Sequence, residues 1–222
     1  MTPPDSLADV LTRSLADAIA LLFPVSCAGC DEPDVSLCDV CRGALAPAVA
    51  RDRLASGLEV WSGLAFEGVA ARVIRALKED GRTGLARPLA VPLRAALVEA
   101  ASAVGVVDAV VPVPTSRAAY RRRGFRVVDL VARRSGVRAE RLLVPARSTA
   151  DQRGLGIDAR RANVGGSMRA RDTDARRALV VDDVVTTGAT LDEAARALRA
   201  AGVEVAGGVC VARTPRHARA TS

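Results

Sequence analysis

Two adjacent carboxylates followed by a short hydroxyl-rich loop lie near the C-terminal end of the 222-residue sequence. Asp182 and Asp183 come directly after the apolar run Leu179-Val180-Val181, which is typical of a buried strand. The loop that follows precedes a helical pattern and consists of Thr186, Thr187, Gly188, Ala189 and Thr190. Because ligands of open α/β sheets bind at the carboxyl ends of the strands, we expect a ligand site here.

The residue types of this string suit a sugar phosphate. Two neighbouring carboxylates repel each other unless hydrogen-bond donors or a cation stabilise their charges. A ribose diol can donate a hydrogen bond to each carboxylate, and a nearby magnesium ion would reduce the repulsion further. Gly188 lets the backbone approach a ligand, and the amides at a helix N-terminus favour a phosphate. The string is neither a Walker loop nor a dinucleotide glycine motif. In the purely structural alternative, Asp183 ends a strand and Thr187 caps a helix. This alternative accounts for either residue alone, but not for the whole string.

Four of the five cysteines form two Cys-x-x-Cys pairs near the N-terminus. The pairs are separated by seven residues and consist of Cys27 with Cys30 and Cys38 with Cys41. Four thiolates fit a tetrahedral structural zinc site, which would fold a segment too short to build its own core. An iron–sulfur cluster and a redox pair remain alternatives. Cys210, which stands alone, is expected to be a small buried residue.

The positive charge is concentrated in one segment. The chain has a formal charge of +7, but residues 117–177 hold 17 Arg against 6 acidic residues, and the rest of the chain carries a net −4. A basic segment can serve polyphosphate ligands or nucleic acid, although a solvated face is the bland interpretation. Only five aromatic side chains are present, which argues mildly against a stacking type of single-strand binder.

Alternating strand and helix patterns predict an α/β fold with a mostly parallel sheet flanked by helices. We expect a helix over Ser6–Leu22, an irregular linker over 42–57 and a long mobile loop over 147–167. The other predicted elements are strands at Leu58–Phe66, Asp108–Val113, Leu142–Val144, Ala178–Val181 and Val203–Val211, and helices at Val69–Lys78, 85–103, Phe125–Arg134 and Ala189–Ala201.

These patterns divide the chain into an N-terminal helix and cysteine knuckle (1–57), an α/β domain (58–214) and a basic tail (215–222). No apolar run approaches the ~20 residues of a membrane span. Asp5 and Asp9 precede the first basic residue, Arg13, the reverse of a signal peptide. We therefore expect a cytoplasmic protein.

The string from Asp182 to Thr190 resembles the phosphoribosyl-diphosphate (PRPP) motif of type I phosphoribosyltransferases. Upstream, Val111-Pro112-Val113-Pro114 is followed by Arg121-Arg122-Arg123-Gly124-Phe125. Together with the cysteine knuckle, these segments are similar to the ComF family of competence-associated, phosphoribosyltransferase-like proteins. The resemblance implies a type I phosphoribosyltransferase-like fold with a small N-terminal four-cysteine zinc module.

The resemblance also implies roles for individual residues. Asp182 and Asp183 would hold the ribose hydroxyls with Mg²⁺ nearby, and Thr186–Thr190 would hold the 5′-phosphate. A pyrophosphate loop would consist of Pro114, Thr115, Ser116 and Arg117. A mobile, basic group would consist of Arg121, Arg122, Arg123, Arg147, Gln152, Arg161 and Asn163.

Three functions follow from the resemblance and stay open at the level of the sequence. In the first, the protein binds PRPP or another phosphorylated ribose with Mg²⁺ and acts in DNA uptake or recombination, with single-stranded DNA and competence or recombination proteins as partners. In the second, it transfers ribose 5-phosphate from PRPP to an unidentified base. In the third, it senses PRPP without turnover.

Overall fold

A computed structural model describes residues 25–146 and 166–215 of the chain. Seven strands lie in these ranges: β1 (Ala50–Arg53), β2 (Glu59–Ala65), β3 (Ala109–Pro112), β4 (Leu143–Pro145), β5 (Met168–Ala170), β6 (Arg177–Val185) and β7 (Glu204–Arg213). Six α-helices accompany them: α1 (Asp39–Gly43), α2 (Gly68–Glu79), α3 (Ala86–Val104), α4 (Arg117–Arg123), α5 (Val127–Arg134) and α6 (Ala189–Ala200). A 3₁₀ turn, Thr83–Leu85, leads into α3.

Five strands form the central sheet in the order β1-β2-β7-β6-β3. The pairs β2–β7, β7–β6 and β6–β3 are parallel, and only the edge strand β1 runs antiparallel to its neighbour. The strands β4 and β5 form a separate antiparallel hairpin. The predicted α/β class with a mostly parallel sheet is therefore confirmed.

The alternation of side chains along β6 explains why both faces of the sheet are covered. Leu179 and Val181 join a core cluster that includes buried residues of α2, α3 and α5, whereas Ala178 and Val180 join a second cluster with α6. On the first face, the backbone of α3 lies close to the sheet at Gly63. A Cβ on Gly63 would lie 2.3 Å from the carbonyl oxygen of Pro92, so only glycine leaves room for the helix. Because β2, β7, β6 and β3 are parallel, their carboxyl ends lie at the same edge of the sheet, between the helices of its two faces.

Several predicted boundaries need correction. The segment 42–57, predicted as an irregular linker, contains the edge strand β1. The strand predicted as Ala178–Val181 continues to Val185, so that Asp182 and Asp183 lie within β6 rather than after it. Arg121, Arg122 and Arg123, predicted as part of a mobile basic group, lie on helix α4.

The division of the chain at residue 57 stays a prediction. Most of the predicted loop at 147–167 and the predicted helix at Ser6–Leu22 lie outside the described residues. Within the described ranges, no helix is long and apolar enough to span a bilayer.

Candidate sugar-phosphate site

The acidic pair lies at the carboxyl edge of the sheet, between its two neighbouring strands. Asp182 is opposite Cys210 of β7 in the parallel register. On the other side, the amide of Val113 donates to the carbonyl oxygen of Val181 at 2.8 Å. The predicted pyrophosphate loop, Pro114–Arg117, therefore begins beside Asp182, as parallel strands require.

The side chain of Asp182 is only 9% exposed. Its Oδ1 accepts a hydrogen bond from the amide of Asp183 at 2.8 Å. Burial, followed by the negative charge of Asp183, raises the pKa of Asp182 to about 8, against the opposing effects of that amide and of Lys78. A carboxyl group in this state is protonated over much of the neutral range and can donate as well as accept.

The second carboxylate has a cationic partner that the sequence analysis did not identify. Lys78, near the end of α2, donates from Nζ to Asp183 Oδ1 at 2.9 Å. The two residues are 105 positions apart in the sequence, so no local pattern connects them. One signal was nevertheless present, since Lys78 is the only lysine among 32 basic residues.

The predicted phosphate loop turns at Gly188, which has φ +87° and precedes the first residue of α6. The amides of Thr187 and Gly188 have no acceptor within the described ranges, and the amide of Ala189 donates to Thr187 Oγ1 at 3.4 Å. Two amides without an acceptor at the N-terminus of a helix form a local positive potential. This arrangement can bind a phosphate dianion.

The turn between β1 and β2 packs against the outside of this loop. The φ of +87° at Gly188 favours glycine, and a Cβ there would lie 2.5 Å from Leu54 Cδ1, so that Leu54 would have to shift. Ser56 Oγ donates to Asp192 Oδ1 at 2.5 Å in the first turn of α6. The region predicted as a linker therefore holds the loop in place.

The predicted pyrophosphate loop ends in the N-cap of α4. Ser116 Oγ accepts from the amide of Ala119 at 3.2 Å, and Arg117 is the first residue of the helix, with an exposed side chain. A guanidinium in the first turn is free to reach an anion at the sheet edge. The role of this loop in binding pyrophosphate stays a prediction.

Helices α4 and α5 carry two adjoining basic cavities, of about 430 and 640 Å³, which we call the arginine groove. The cavities share Tyr120 and Arg126, and the Arg126 guanidinium lies over the Tyr120 ring at 4.6 Å from its centroid. The groove is lined by the basic residues Arg117, Arg121, Arg126, Arg133, Arg138, Arg141 and Arg169. Asp129, which also lines it, is paired with Arg141. The groove thus has a strong excess of positive charge.

The four knuckle cysteines converge on one point. Their sulfur atoms all lie within 4.8 Å of one another, and Cys30 Sγ is 3.7 Å from Cys38 Sγ. Tetrahedral zinc with Zn–S bonds of about 2.3 Å would place its sulfur ligands about 3.8 Å apart. A Cβ on Gly29 would lie 2.5 Å from Cys41 Sγ, which explains the glycine within the first pair. The cluster therefore fits a four-thiolate metal site.

The surroundings of Cys27 favour its thiolate form. Burial would raise its pKa, but backbone amides, first those of Cys38 and Gly29, outweigh burial and lower the pKa to about 6. The pKa of Cys41, by contrast, is raised by burial and by the neighbouring thiols. Four thiols so close together cannot all ionise without a cation, and a bound metal would supply that charge.

The structure thus brings Asp182, Asp183 and the loop Thr186–Thr190 to one edge of the sheet and gathers the four cysteines separately. The predicted residues Arg147, Gln152, Arg161 and Asn163 lie outside the described part of the chain. Besides Lys78, Leu54 and Ser56 contribute to the site, although the sequence pattern predicts a linker there. The stacked pair of Tyr120 and Arg126 has no signal in the local sequence.

Comparison with known proteins found one family domain and one curated relative. Residues 118–221 match a phosphoribosyl transferase domain. Competence protein F of Haemophilus influenzae is 32% identical over 106 residues, which cover 44% of this chain and 46% of that protein. The chain therefore spans about half the length of this curated relative. The predicted resemblance is confirmed: the chain is similar to competence protein F over 106 residues, and residues 118–221 match a phosphoribosyl transferase domain.

Two solved structures show weaker similarity. UMP synthase of Leishmania donovani aligns with 93% of this chain and 36% of its own, at 17% identity and a TM-score of 0.37. Orotate phosphoribosyltransferase from Aeropyrum pernix aligns with 78% of this chain and 89% of its own, at 18% identity and a TM-score of 0.33. At these scores, neither structure carries an argument about the fold or the function of this chain.

The raised pKa of Asp182 predicts a specific pH dependence of stability. An acid that keeps its proton in the folded state, but loses it in the unfolded state, makes the folded state less stable as pH rises between the two pKa values. Relative to the wild type, Asp182→Asn should therefore gain free energy of unfolding from about pH 4 to about pH 8. Urea unfolding at several pH values measures this difference, with the exposed Asp174→Asn as the control. A difference that stays constant across the range would contradict the assignment.

Proposed function

We propose that this protein binds PRPP or another phosphorylated ribose, with Mg²⁺, at the carboxyl edge of the sheet, where β6 ends and α6 begins. The observation that carries this proposal is the placement of two adjacent carboxylates and a phosphate-type loop a few residues apart on one continuous segment. Asp182 and Asp183 would accept from the ribose hydroxyls. The amides of Thr187 and Gly188, with the nearby threonine hydroxyls, would bind the 5′-phosphate.

The proposed magnesium is assigned to the ligand rather than to a dedicated protein site. Carboxylate oxygens suit Mg²⁺, but Asp183 Oδ1 already accepts from Lys78. Mg²⁺ usually keeps several waters and binds through substrate phosphates, so the pyrophosphate of PRPP is its natural ligand. Arg117 and the Pro114–Arg117 loop are proposed to contact that pyrophosphate.

Binding is supported more strongly than transfer. The acidic pair and the phosphate loop account for holding the sugar, but neither provides the group that must accept a proton from an incoming base. Transfer of ribose 5-phosphate to a base and PRPP sensing without turnover are therefore alternatives within the same binding proposal. Release of pyrophosphate in the presence of nucleobases would distinguish transfer from sensing.

Titration calorimetry with PRPP and excess Mg²⁺ tests the binding site. The double variant Asp182→Asn/Asp183→Asn should weaken binding at least about tenfold, because it removes the charged acceptor at Asp183 and the carboxyl group at Asp182 that are proposed to bind the diol. The exposed variant Asp174→Asn removes one carboxylate elsewhere and should bind as the wild type does. Unchanged affinity in the double variant would show that the acidic pair does not hold the ribose.

We further propose that the metal of the cysteine cluster is a structural zinc. The sulfur distances, the amides donating to Cys27 and the burial of three of the four cysteines support a closed site with no open coordination position. Such a site contributes to folding and performs no chemistry.

Metal analysis of two matched variants tests the zinc site. The purified wild type should contain about one zinc per chain, and Cys41→Ser should lose most of it, because a hydroxyl is a poor substitute for a thiolate ligand. Cys210→Ser replaces a buried cysteine of the sheet and should retain the metal. Full zinc content in Cys41→Ser, or the visible absorption of an iron–sulfur cluster in the wild type, would contradict the proposal.

The arginine groove favours a second candidate function, the binding of single-stranded DNA. Its converging guanidinium groups suit a phosphate backbone, and the Tyr120 ring paired with Arg126 suits an unstacked base. The name of the relative from Haemophilus influenzae agrees with a role in competence. We therefore propose that the protein acts in the cytoplasm in DNA uptake or recombination, together with competence or recombination proteins.

Salt-dependent binding to a single-stranded oligonucleotide tests the groove. Arg121→Glu/Arg133→Glu should weaken binding and reduce the slope against log salt by about 0.7 for each phosphate that the variant no longer neutralises. Arg87→Glu/Arg94→Glu makes the same change of charge at exposed positions on α3. Equal weakening by both pairs would mean that net charge alone acts, and would contradict a specific groove.

A further inference from the structure

Lys78 occupies an unusual position beside the acidic pair. Its ammonium is 2.9 Å from Asp183 Oδ1, and the two side chains are 27% and 14% exposed, so the ion pair is largely shielded from water. An ammonium has three donors, and Asp183 is the only partner that the described residues give Lys78. Lys78 is thus a positively charged partner of Asp183 within the proposed site.

The cysteine knuckle contacts the helix that carries Lys78 at two positions, one within the helix and one just beyond its end. Within α2, Arg72 forms an ion pair with Asp31, which follows the first cysteine pair. Just beyond α2, Arg82 Nη2 donates to the carbonyl oxygens of Ser26 at 2.7 Å and Ser36 at 2.8 Å. These contacts fix the end of α2, and therefore the position from which Lys78 reaches Asp183.

Each carboxylate keeps one oxygen for a ligand. Asp182 Oδ1 is engaged by the amide of Asp183, and Asp183 Oδ1 is engaged by Lys78. Among the described residues, neither Asp182 Oδ2 nor Asp183 Oδ2 has a hydrogen-bond partner. A vicinal diol has two hydroxyls, each of which can donate or accept a hydrogen bond, so it matches these two oxygens whether or not Asp182 holds its proton.

We propose that Lys78 is the positioning residue of the ribose site and makes the acidic pair a diol clamp that needs no divalent metal. This inference rests on the proposed function, and it confines the metal requirement to the pyrophosphate of PRPP. Lys78 supplies the positive charge that balances Asp183, and it orients Asp183 so that Oδ2 faces the ligand. Ribose 5-phosphate, which lacks the pyrophosphate, should therefore bind equally well with and without Mg²⁺.

A purely structural ion pair predicts something different. In that case, removal of Lys78 would lower stability, and any loss of affinity would be independent of the metal. If Lys78 instead balances the charge of the clamp, its removal leaves a negative charge that a divalent cation can balance. The dependence of binding on Mg²⁺ in the variant therefore distinguishes the two roles.

Calorimetric titration of the full-length protein with ribose 5-phosphate, in EDTA and in excess Mg²⁺, tests the proposal. The wild type should give the same dissociation constant in both conditions. Lys78→Met should bind at least about tenfold more weakly in EDTA and recover much of its affinity in Mg²⁺. Lys78→Arg keeps the charge and should remain independent of the metal. Arg75→Met, which removes an exposed cation from the same helix, should behave as the wild type does.

The outcomes separate this inference from the proposed function. Wild-type protein that binds ribose 5-phosphate only with Mg²⁺ would overturn the role of Lys78 and leave the sugar-phosphate site intact. The same inference fails if Lys78→Met binds normally in EDTA, or if Mg²⁺ does not relieve its weaker binding. Wild-type protein that binds no ribose 5-phosphate in either condition would overturn the proposed site itself.

Discussion

Adjacent carboxylates at the end of a buried strand impose the constraint around which this structure is organised. Asp182 and Asp183 cannot both be charged at the edge of an apolar core without a compensating partner. The fold meets this requirement in two ways, because burial and the neighbouring charge raise the pKa of Asp182 to about 8, and Lys78 pairs with Asp183. A sheet that buried ordinary apolar residues here would need neither arrangement, which is why the pair indicates a ligand.

The N-terminal part of the chain contributes to this arrangement from two directions. The cysteine knuckle holds α2, whose last turn presents Lys78 to Asp183. The turn after β1 packs Leu54 against Gly188 and ties Ser56 to Asp192 in the helix behind the phosphate loop. The cysteine knuckle thus has a structural effect on the acidic pair without contacting it. If the knuckle holds zinc as proposed, loss of the zinc should disturb the acidic pair through α2.

The sequence was sufficient where one continuous segment contains the information. The motif from Asp182 to Thr190 and the two cysteine pairs were predicted because short spacing fixes their geometry. Lys78 and Leu54 were missed because their contacts with Asp183 and Gly188 bring together distant parts of the chain. The exposed strand β1 was missed because Ala-Arg-Asp-Arg shows no apolar alternation, and its pairing with β2 is supported by Arg51 and Arg53 contacting Glu59. Strand β6 was predicted too short because its two acids interrupt the apolar run.

A crystal structure of the protein with PRPP and Mg²⁺ is the decisive measurement for the ribose site. The 5′-phosphate is expected on the amides of Thr187 and Gly188, and the ribose hydroxyls on the free oxygens of Asp182 and Asp183. Lys78 should still pair with Asp183, and Mg²⁺ should bind through the pyrophosphate. Ligand bound away from the point where β6 ends and α6 begins, or Mg²⁺ in place of the Lys78 ammonium on Asp183, would contradict the proposed site.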